Sequence, residues 1–574
     1  MRKKFLLMMF ALLGTVGAWA VQVTYYVTRA DGAGTWFKAD GSNPNSDDWF
    51  AVKFVSSDNV LTLISNHNGM NSNVVTDKGF RINHTARSGN PDIVSYTLSV
   101  PQGYTIVSYT FGAAPNGFNN NIIKISPNEN MSGAVSVRKT PVEGVESQTS
   151  YTQQVNDAQE SKFYLQQQPN EAIDVTLTVV VETTYEQSVR DYLTPDKIEN
   201  VEHAGDYGYP KKTTKSYENI LSLVEKLTQE NAEWTEKDYE NVKSYYEAYI
   251  AEEDIVIPET GKFYRIYASN SGKKFLLASG NKIIGRKTTE EALSNDASSI
   301  WYLGEDNKLT AFSSGYQYAG TANGFNVMGY EGGTKVDFIR CPSTFGKVSI
   351  RSNSSLWFIQ ASVANDTDLT TASDASMAGA QFYVGEVDAL PIAISEAGLA
   401  TFYSPVAVTV PDNVTAYTGK ISADGAALNL TPVEGSTIPA NTAVILEGKG
   451  EVSLPIAGDA SVAETENEVF TGTISTIATP EGTDILTLQS RGDGKIGFYI
   501  YNGETLAGFK AYLTMPNDPA GVKGIDLNFG MTDAIREIVK DGQQAEAIYD
   551  LTGRRVEKAV KGIYIVNGKK TVIK

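Results

Sequence analysis

Turning over a substrate takes side chains that can give up, accept or share protons, and this chain is sparing with them. Three histidines, His67, His84 and His203, and one cysteine, Cys341, stand among 574 residues. No His-Glu-x-x-His, no Gly-x-Ser-x-Gly and no glycine-rich phosphate loop occurs, so zinc proteolysis, α/β-hydrolase chemistry and nucleotide transfer lack their usual carriers. Paired carboxylates for glycoside hydrolysis need only the right separation in space, but no segment has the barrel or propeller pattern that would host them. The acidic turns "NPNSDDWF" (Asp47, Asp48) and "NDTDLTTASD" (Asp366, Asp368, Asp374) offer the oxygens that hard cations take. Their spacing is not that of an EF-hand, and both read as solvated loops. Aromatic rings are the remaining candidates: sugar faces stack on exposed Trp and Tyr, which singles out Trp36, Trp49, Tyr316, Tyr318 and Trp357 as ligand contacts. We assign no catalytic residue, no metal ligand and no cofactor.

These rings need elements to hold them, and the chain supplies mostly strands. Residues 1–20, "MRKKFLLMMFALLGTVGAWA", combine Arg2, Lys3 and Lys4 with an apolar run and small residues at Ala18 and Ala20, the layout of a secretory signal peptide cleaved after Ala20. No transmembrane segment is expected after its removal. One cysteine forbids an intrachain disulfide, so buried cores must carry the stability. A formal net charge of −19 argues against nucleic acid as a partner. Residues 21–185 alternate apolar and polar residues between turn clusters, as in a β-sandwich. Within them, "TRADGAGTWFKAD" resembles the Asp-box turn of sialidase propellers in Asp31, Gly34, Thr35 and Trp36, but the spacing is one residue too long and no second copy follows. It reads as a glycine-rich hairpin turn.

Residues 186–257 change period and read as a helical spacer, a hairpin or three-helix unit. Thr194 with Pro195 marks a helix start, Ile220, Leu223, Val224 and Leu227 share one helical face, and Thr235 with Asp238 can form a capping box ahead of Tyr239, Val242, Tyr246 and Ile250. In residues 258–388 the aromatics Phe275, Tyr318 and Trp357 alternate along the chain with Trp301, Phe338 and Phe382, giving three units of about 40 residues. This stretch resembles the ricin-type β-trefoil lectins, and the resemblance implies a trefoil barrel. The family's Gln two residues before the core Trp is replaced by Ser299, Val336 and Ala380, so its sugar sites do not transfer residue by residue. Residues 389–530 read as a second β-sandwich and look like the module that precedes the sorting tail in large secreted Bacteroidetes proteins. A polar linker, 531–545, follows.

The last segment, 546–574, is basic and strand-like. "YDLTGRRV" and "KGIYIVNGKK" stand in order there, and Asn567-Gly568 is a favoured pair for a tight hairpin turn. The segment resembles the C-terminal sorting domains of the type IX secretion (Por) system of Bacteroidetes, on Tyr549, Asp550, Gly553, Arg554, Gly562, Tyr564, Asn567, Gly568 and Lys569. The resemblance implies the secretion and sorting machinery as a partner. The fold expected is mainly β: sandwich, small helical hairpin, β-trefoil, second sandwich and a short β-tail. The function expected is that of a non-catalytic, secreted or cell-surface multi-modular protein binding glycan or another surface ligand. The alternatives are a secreted glycoside hydrolase or esterase with an unrecognised site, and a purely structural or adhesive surface protein.

Overall fold

The structure is a computed structural model that describes residues 20–43, 51–67, 70–71, 79–82, 93–114, 122–140, 142–167, 173–269, 272–352, 356–360, 362, 364–423, 425–458, 470–481, 483–491, 494–516, 524–529, 548–549, 555–556, 562–566 and 569–573. The chain is mainly β and divides into two compact units, Met1–Val256 and Ile257–Lys574.

In the first unit, two sheets face each other across one core. The strand Ile93–Ser99 buries every second residue, as a strand with one face inward must. The longest strand, Ile173–Thr184, pairs with Tyr104–Ala113, with Phe80–Ile82 and with Ala20–Tyr26. It runs directly into helix α1 (Tyr185–Tyr192), whose first turn is capped by Thr184. Three more helices follow: α2 (Pro195–Glu202), α3 (Lys215–Leu227) and α4 (Glu236–Ile250). The expected hairpin or three-helix unit is therefore a set of four, because α1 grows out of a strand with no turn residue to announce it. Pro195 opens α2, yet Thr194 makes no side-chain cap bond. The Thr235–Asp238 capping box is present, and Ile220, Leu223, Val224, Val242 and Tyr246 are buried.

In the thirteen-stranded sheet that opens the second unit, the short strand Thr367–Asp368 pairs with Lys282–Lys287, and the pairings of the other twelve strands define a β-trefoil. In order they are β1 (Lys262–Ala268), β2 (Lys274–Ser279), β3 (Lys282–Lys287), β4 (Trp301–Leu303), β5 (Leu309–Ala311), β6 (Gln317–Ala322), β7 (Phe325–Gly329), β8 (Val336–Arg340), β9 (Val348–Ser352), β10 (Trp357–Ile359), β11 (Thr370–Ala372) and β12 (Phe382–Glu386). Strands β1, β4, β5, β8, β9 and β12 close a barrel in that order, the β5 to β8 link being the Lys308–Lys335 bridge and β12 returning to β1. The hairpins β2–β3, β6–β7 and β10–β11 pair with one another through Lys282 with Val327 and Phe325 with Thr370. Each repeat thus gives two strands to the barrel and two to the cap. Trp301, Phe338, Phe382 and Phe275 are buried, and so is Tyr318. The third repeat departs by one residue: Phe358, fully buried, takes the core position and its ring meets Tyr318 at 4.9 Å.

The residues beyond the trefoil form a nine-stranded sheet that is antiparallel except where Ala427–Pro432 runs parallel to Gly524–Asn528, together with short two-stranded pieces. This module shares a core with the trefoil. Phe263, Tyr302 and Phe312 from the trefoil pack with Phe509, Leu390 and Phe402, and the Phe312 and Phe509 rings lie 4.9 Å apart. At the seam Gly315 meets Gly508 so closely that a Cβ on Gly508 would lie 2.6 Å from the Gly315 Cα. The Thr476 amide donates to the Gly315 carbonyl at 2.8 Å. Phe509 holds a left-handed backbone at φ 55°, unfavourable for a non-glycine residue. Its amide donates to the Thr473 carbonyl at 2.6 Å, and its packed ring fixes it there. In the tail, the strands Gly562–Val566 and Lys569–Ile573 pair from Gly562 with Ile573 to Val566 with Lys569. Asn567 and Gly568, expected at the turn between them, lie outside the described residues, as do Asp550, Gly553 and Arg554.

Candidate functional site

Strand registers give the trefoil three equivalent surface rows. Residues directly opposite across antiparallel strands project to the same face, so each repeat lines up one side chain from the strand before it, one from its own barrel strand and one from its hairpin. In the first repeat the row is Tyr383, Tyr267, Phe275. In the second it is Tyr302, Thr310, Gln317. In the third it is Asp337, Arg351, Trp357.

The three rows have different fates. Tyr302 is 6 % exposed, packed beneath Phe509 of the following module, and burial, then Glu305 and Asp306, pushes its phenol up to about 12. The first row is an aromatic stack in which Tyr267 and Tyr383 lie 5.1 Å apart and Phe275 is buried. Only the third row leaves all three members accessible. Asp337 accepts from the Arg351 guanidinium at 2.9 Å, with the two side chains 50 % and 42 % exposed. The guanidinium sits 5.8 Å from the Trp357 ring, which is half-buried. A carboxylate acceptor, a planar donor fork and an indole face therefore lie side by side, a set that can bind hydroxyls on the edge of a sugar ring while stacking on its apolar face.

The other ring candidates divide. Trp36 is 5 % exposed, packed against Phe54 and Phe80 with centroids at 5.0 and 5.4 Å, and its indole N–H donates to the Thr28 carbonyl at 3.1 Å. It is a core residue and cannot present a face to a ligand. Its segment is the expected turn, closed by the Ala33 amide on the Ala30 carbonyl, followed by the strand Gly34–Phe37. Tyr318 is fully buried and is corrected in the same way. Tyr316 is half-buried beside the exposed Tyr330, 6.4 Å away. Trp49 lies outside the described residues. The sequence singled out Trp357 but neither Asp337 nor Arg351, because only strand register brings the three together.

The acidic turn at 362–374 is a knot of internal partners. Asp366 is bridged by Arg286 at 2.6 Å and Asp368 by Lys282 at 2.6 Å, while Asp374 accepts from Ser376 in its own turn. The Lys274 ammonium, fully buried, donates to the carbonyls of Ser362 and Ala364. The loop is solvated as expected, with Asp366 and Asp374 exposed, and basic side chains clamp it from one side. Asp47 and Asp48 lie outside the described residues, as does His84. His203 stacks on Tyr209 and its Nδ1 lies 2.8 Å from Asp206. In the first unit Tyr25 donates to Asp58 at 2.8 Å and Tyr104 donates to Asp191. Burial, then Asp58, holds the Tyr25 phenol far above its usual value, so it donates and does not exchange protons at neutral pH. Among the described residues no three His, Cys, Asp or Glu side chains are grouped as a metal site would need, and no helix is long and apolar enough to cross a membrane.

No family model and no curated protein matches the chain. Solved structures similar to parts of it include an earthworm R-type lectin C-half in complex with GalNAc, at 10 % identity over 22 % of this chain and 99 % of that one, with a TM-score of 0.18. An agglutinin from Abrus precatorius is 12 % identical over 46 % of this chain and 95 % of that one, with a TM-score of 0.19. The CBM32-1 and CBM32-2 domains of Clostridium perfringens ZmpB, in complex with GalNAc, are 12 % identical over 76 % and 95 %, with a TM-score of 0.14. At scores this low the trefoil rests on its own strand pairings.

Proposed function

We propose that this chain is a glycan-binding protein without catalysis of its own, and that its ligand contact is the row Asp337, Arg351, Trp357. One observation carries the reading: of three rows made equivalent by the trefoil, this one alone keeps an acceptor, a donor fork and an aromatic face open to solvent. The test is a glycan array with the full chain, followed by titration of any hit. Trp357→Ala is expected to weaken binding roughly two- to twelve-fold, in line with about 0.5–1.5 kcal/mol for a ring contact beyond its buried area, without changing the melting temperature. An array with no saturable hit, or a hit indifferent to Trp357→Ala, sinks the proposal.

The same reading has the protein exported and held at or beyond the cell surface. The signal-like residues 1–20 and the sorting-like residues 546–574 support this, and the tail would engage a secretion apparatus. Fractionating producing cells with and without residues 546–574 tests it. A truncated protein retained in the periplasm is the expected outcome, and an unchanged distribution removes the sorting role. A scaffold reading has one observation in its favour, since the second of the three rows is absorbed into packing beneath the following module. An array without hits would promote it.

A further inference from the structure

Beyond the Trp357 row, the first repeat carries a patch that the row comparison leaves unexplained. The stacked rings of Tyr267 and Tyr383 lie between two ammonium groups. Lys273 Nζ is 5.0 Å from the centre of the Tyr267 ring, and Lys347 Nζ is 5.2 Å from that of Tyr383. Lys347 also donates to Ser269 Oγ at 3.0 Å and to Gln381 Oε1 at 3.1 Å, both neutral. Lys287 stands opposite Lys274 in the strand register, one residue out of step with Phe275 and Tyr267, and lies so close to Gly272 that a Cβ there would meet its Cε at 3.0 Å. Burial, followed by the repulsion of Lys287, lowers the pKa of Lys274.

None of Lys273, Lys287 and Lys347 forms an ion pair with a described carboxylate. Lys262, Lys282, Arg286, Lys308 and Arg351 of the same trefoil each do. The acids of the adjoining turn are already taken, Asp366 by Arg286 and Asp368 by Lys282. A chain with a net charge of −19 therefore keeps two cations without a described carboxylate partner against one aromatic stack. Isolated like charges held together raise each other's energy, and a bound anion relieves that.

We propose that Lys273 and Lys347, with Tyr267 and Tyr383, form a second binding site on the trefoil for an acidic polysaccharide bearing carboxylate or sulfate groups on its sugar rings. The lysines meet the anionic groups, the exposed edges of the tyrosine stack meet the apolar face of the ring, and Ser269 and Gln381 reach hydroxyls.

The test uses the full chain on immobilised heparin and polygalacturonate at low salt and at about 0.5 M, where the Debye length falls to a few ångströms. Retention at low salt that is lost at high salt is expected. Lys273→Glu with Lys347→Glu should weaken it roughly five- to thirty-fold, from the loss of two charge contacts plus the added repulsion. Tyr383→Ala should weaken it further, and Trp357→Ala should leave it unchanged. Failure of the wild type to bind either polymer overturns the proposal, as does indifference to the double charge reversal. Equal retention on duplex DNA or phosphatidylserine vesicles also overturns it, since a site that ignores the sugar ring is a generic anion surface. Loss of neutral-glycan binding in Trp357→Ala with acidic-polymer binding intact separates this site from the first.

Discussion

Asp238 shows how much one side chain can hold. Its carboxylate accepts from the Thr235 amide at 2.8 Å, the Thr235 hydroxyl at 2.7 Å and Lys226 at 2.7 Å, tying the first turn of α4 to the end of α3. Partial burial raises its pKa, but the bonds from Lys226 and Thr235 outweigh that, so the carboxyl titrates below its ordinary value of 3.8. A carboxyl depressed on folding stabilises the fold above the unfolded pKa, and the contribution is lost as pH falls through the folded one. Asp238→Ala is expected to cost about 1–2 kcal/mol near pH 7 from the lost cap and ion pair, measured by denaturant unfolding. The difference from the wild type should shrink as pH drops below about 4, and a loss that persists there would not come from the ionised carboxylate, nor from helix propensity, which favours Ala. This residue was legible in advance because Thr-x-x-Asp is a local signal. Arg351 was not, since its partners Asp337 and Trp357 meet it only through pairings between strands.

At the scale of elements, alternation and turn residues were enough to mark the sandwich strands and the trefoil repeats. What they could not fix was phase. In the third repeat two rings are adjacent, Trp357 and Phe358, and spacing along the chain favours Trp357 as the core residue. The register of Arg351 with Trp357 turns the indole outward and Phe358 inward. A strand has a period of two, so an error of one residue exchanges core for surface. Trp36 fails in the opposite sense: a tryptophan beside a glycine-rich turn looked exposed, and the facing Phe54 and Phe80 bury it. Helix α1 was missed because Thr184, its cap, also ends a run of β-branched residues.

Across the second unit as a whole, the docking of trefoil on the following module decides which rows stay open, and nothing local in Phe263, Tyr302 or Phe312 distinguishes a docking patch from a core. The Gly315–Gly508 contact makes that docking testable. In Gly508→Ala the new methyl would lie 2.4 Å from the Ile474 carbonyl oxygen and 2.6 Å from the Gly315 Cα, both backbone atoms that can yield only by shifting the seam. We expect a loss of about 1–3 kcal/mol in thermal or denaturant unfolding, the usual cost of overpacking, with binding at the Trp357 row retained. An unchanged stability would mean that the two modules separate without resistance.

That seam also bears on how such a protein can be cut and reassembled. A trefoil produced without the module after it would expose Phe263, Tyr302 and Phe312, a contiguous oily face that invites self-association in water. Its neighbour, freed in turn, would present Phe509 in a strained backbone with nothing to press against. Recombination that moved either piece alone would deliver a sticky fragment, so the inheritable cassette is the pair, and a truncation meant to isolate the lectin-like barrel should keep the chain through residue 529.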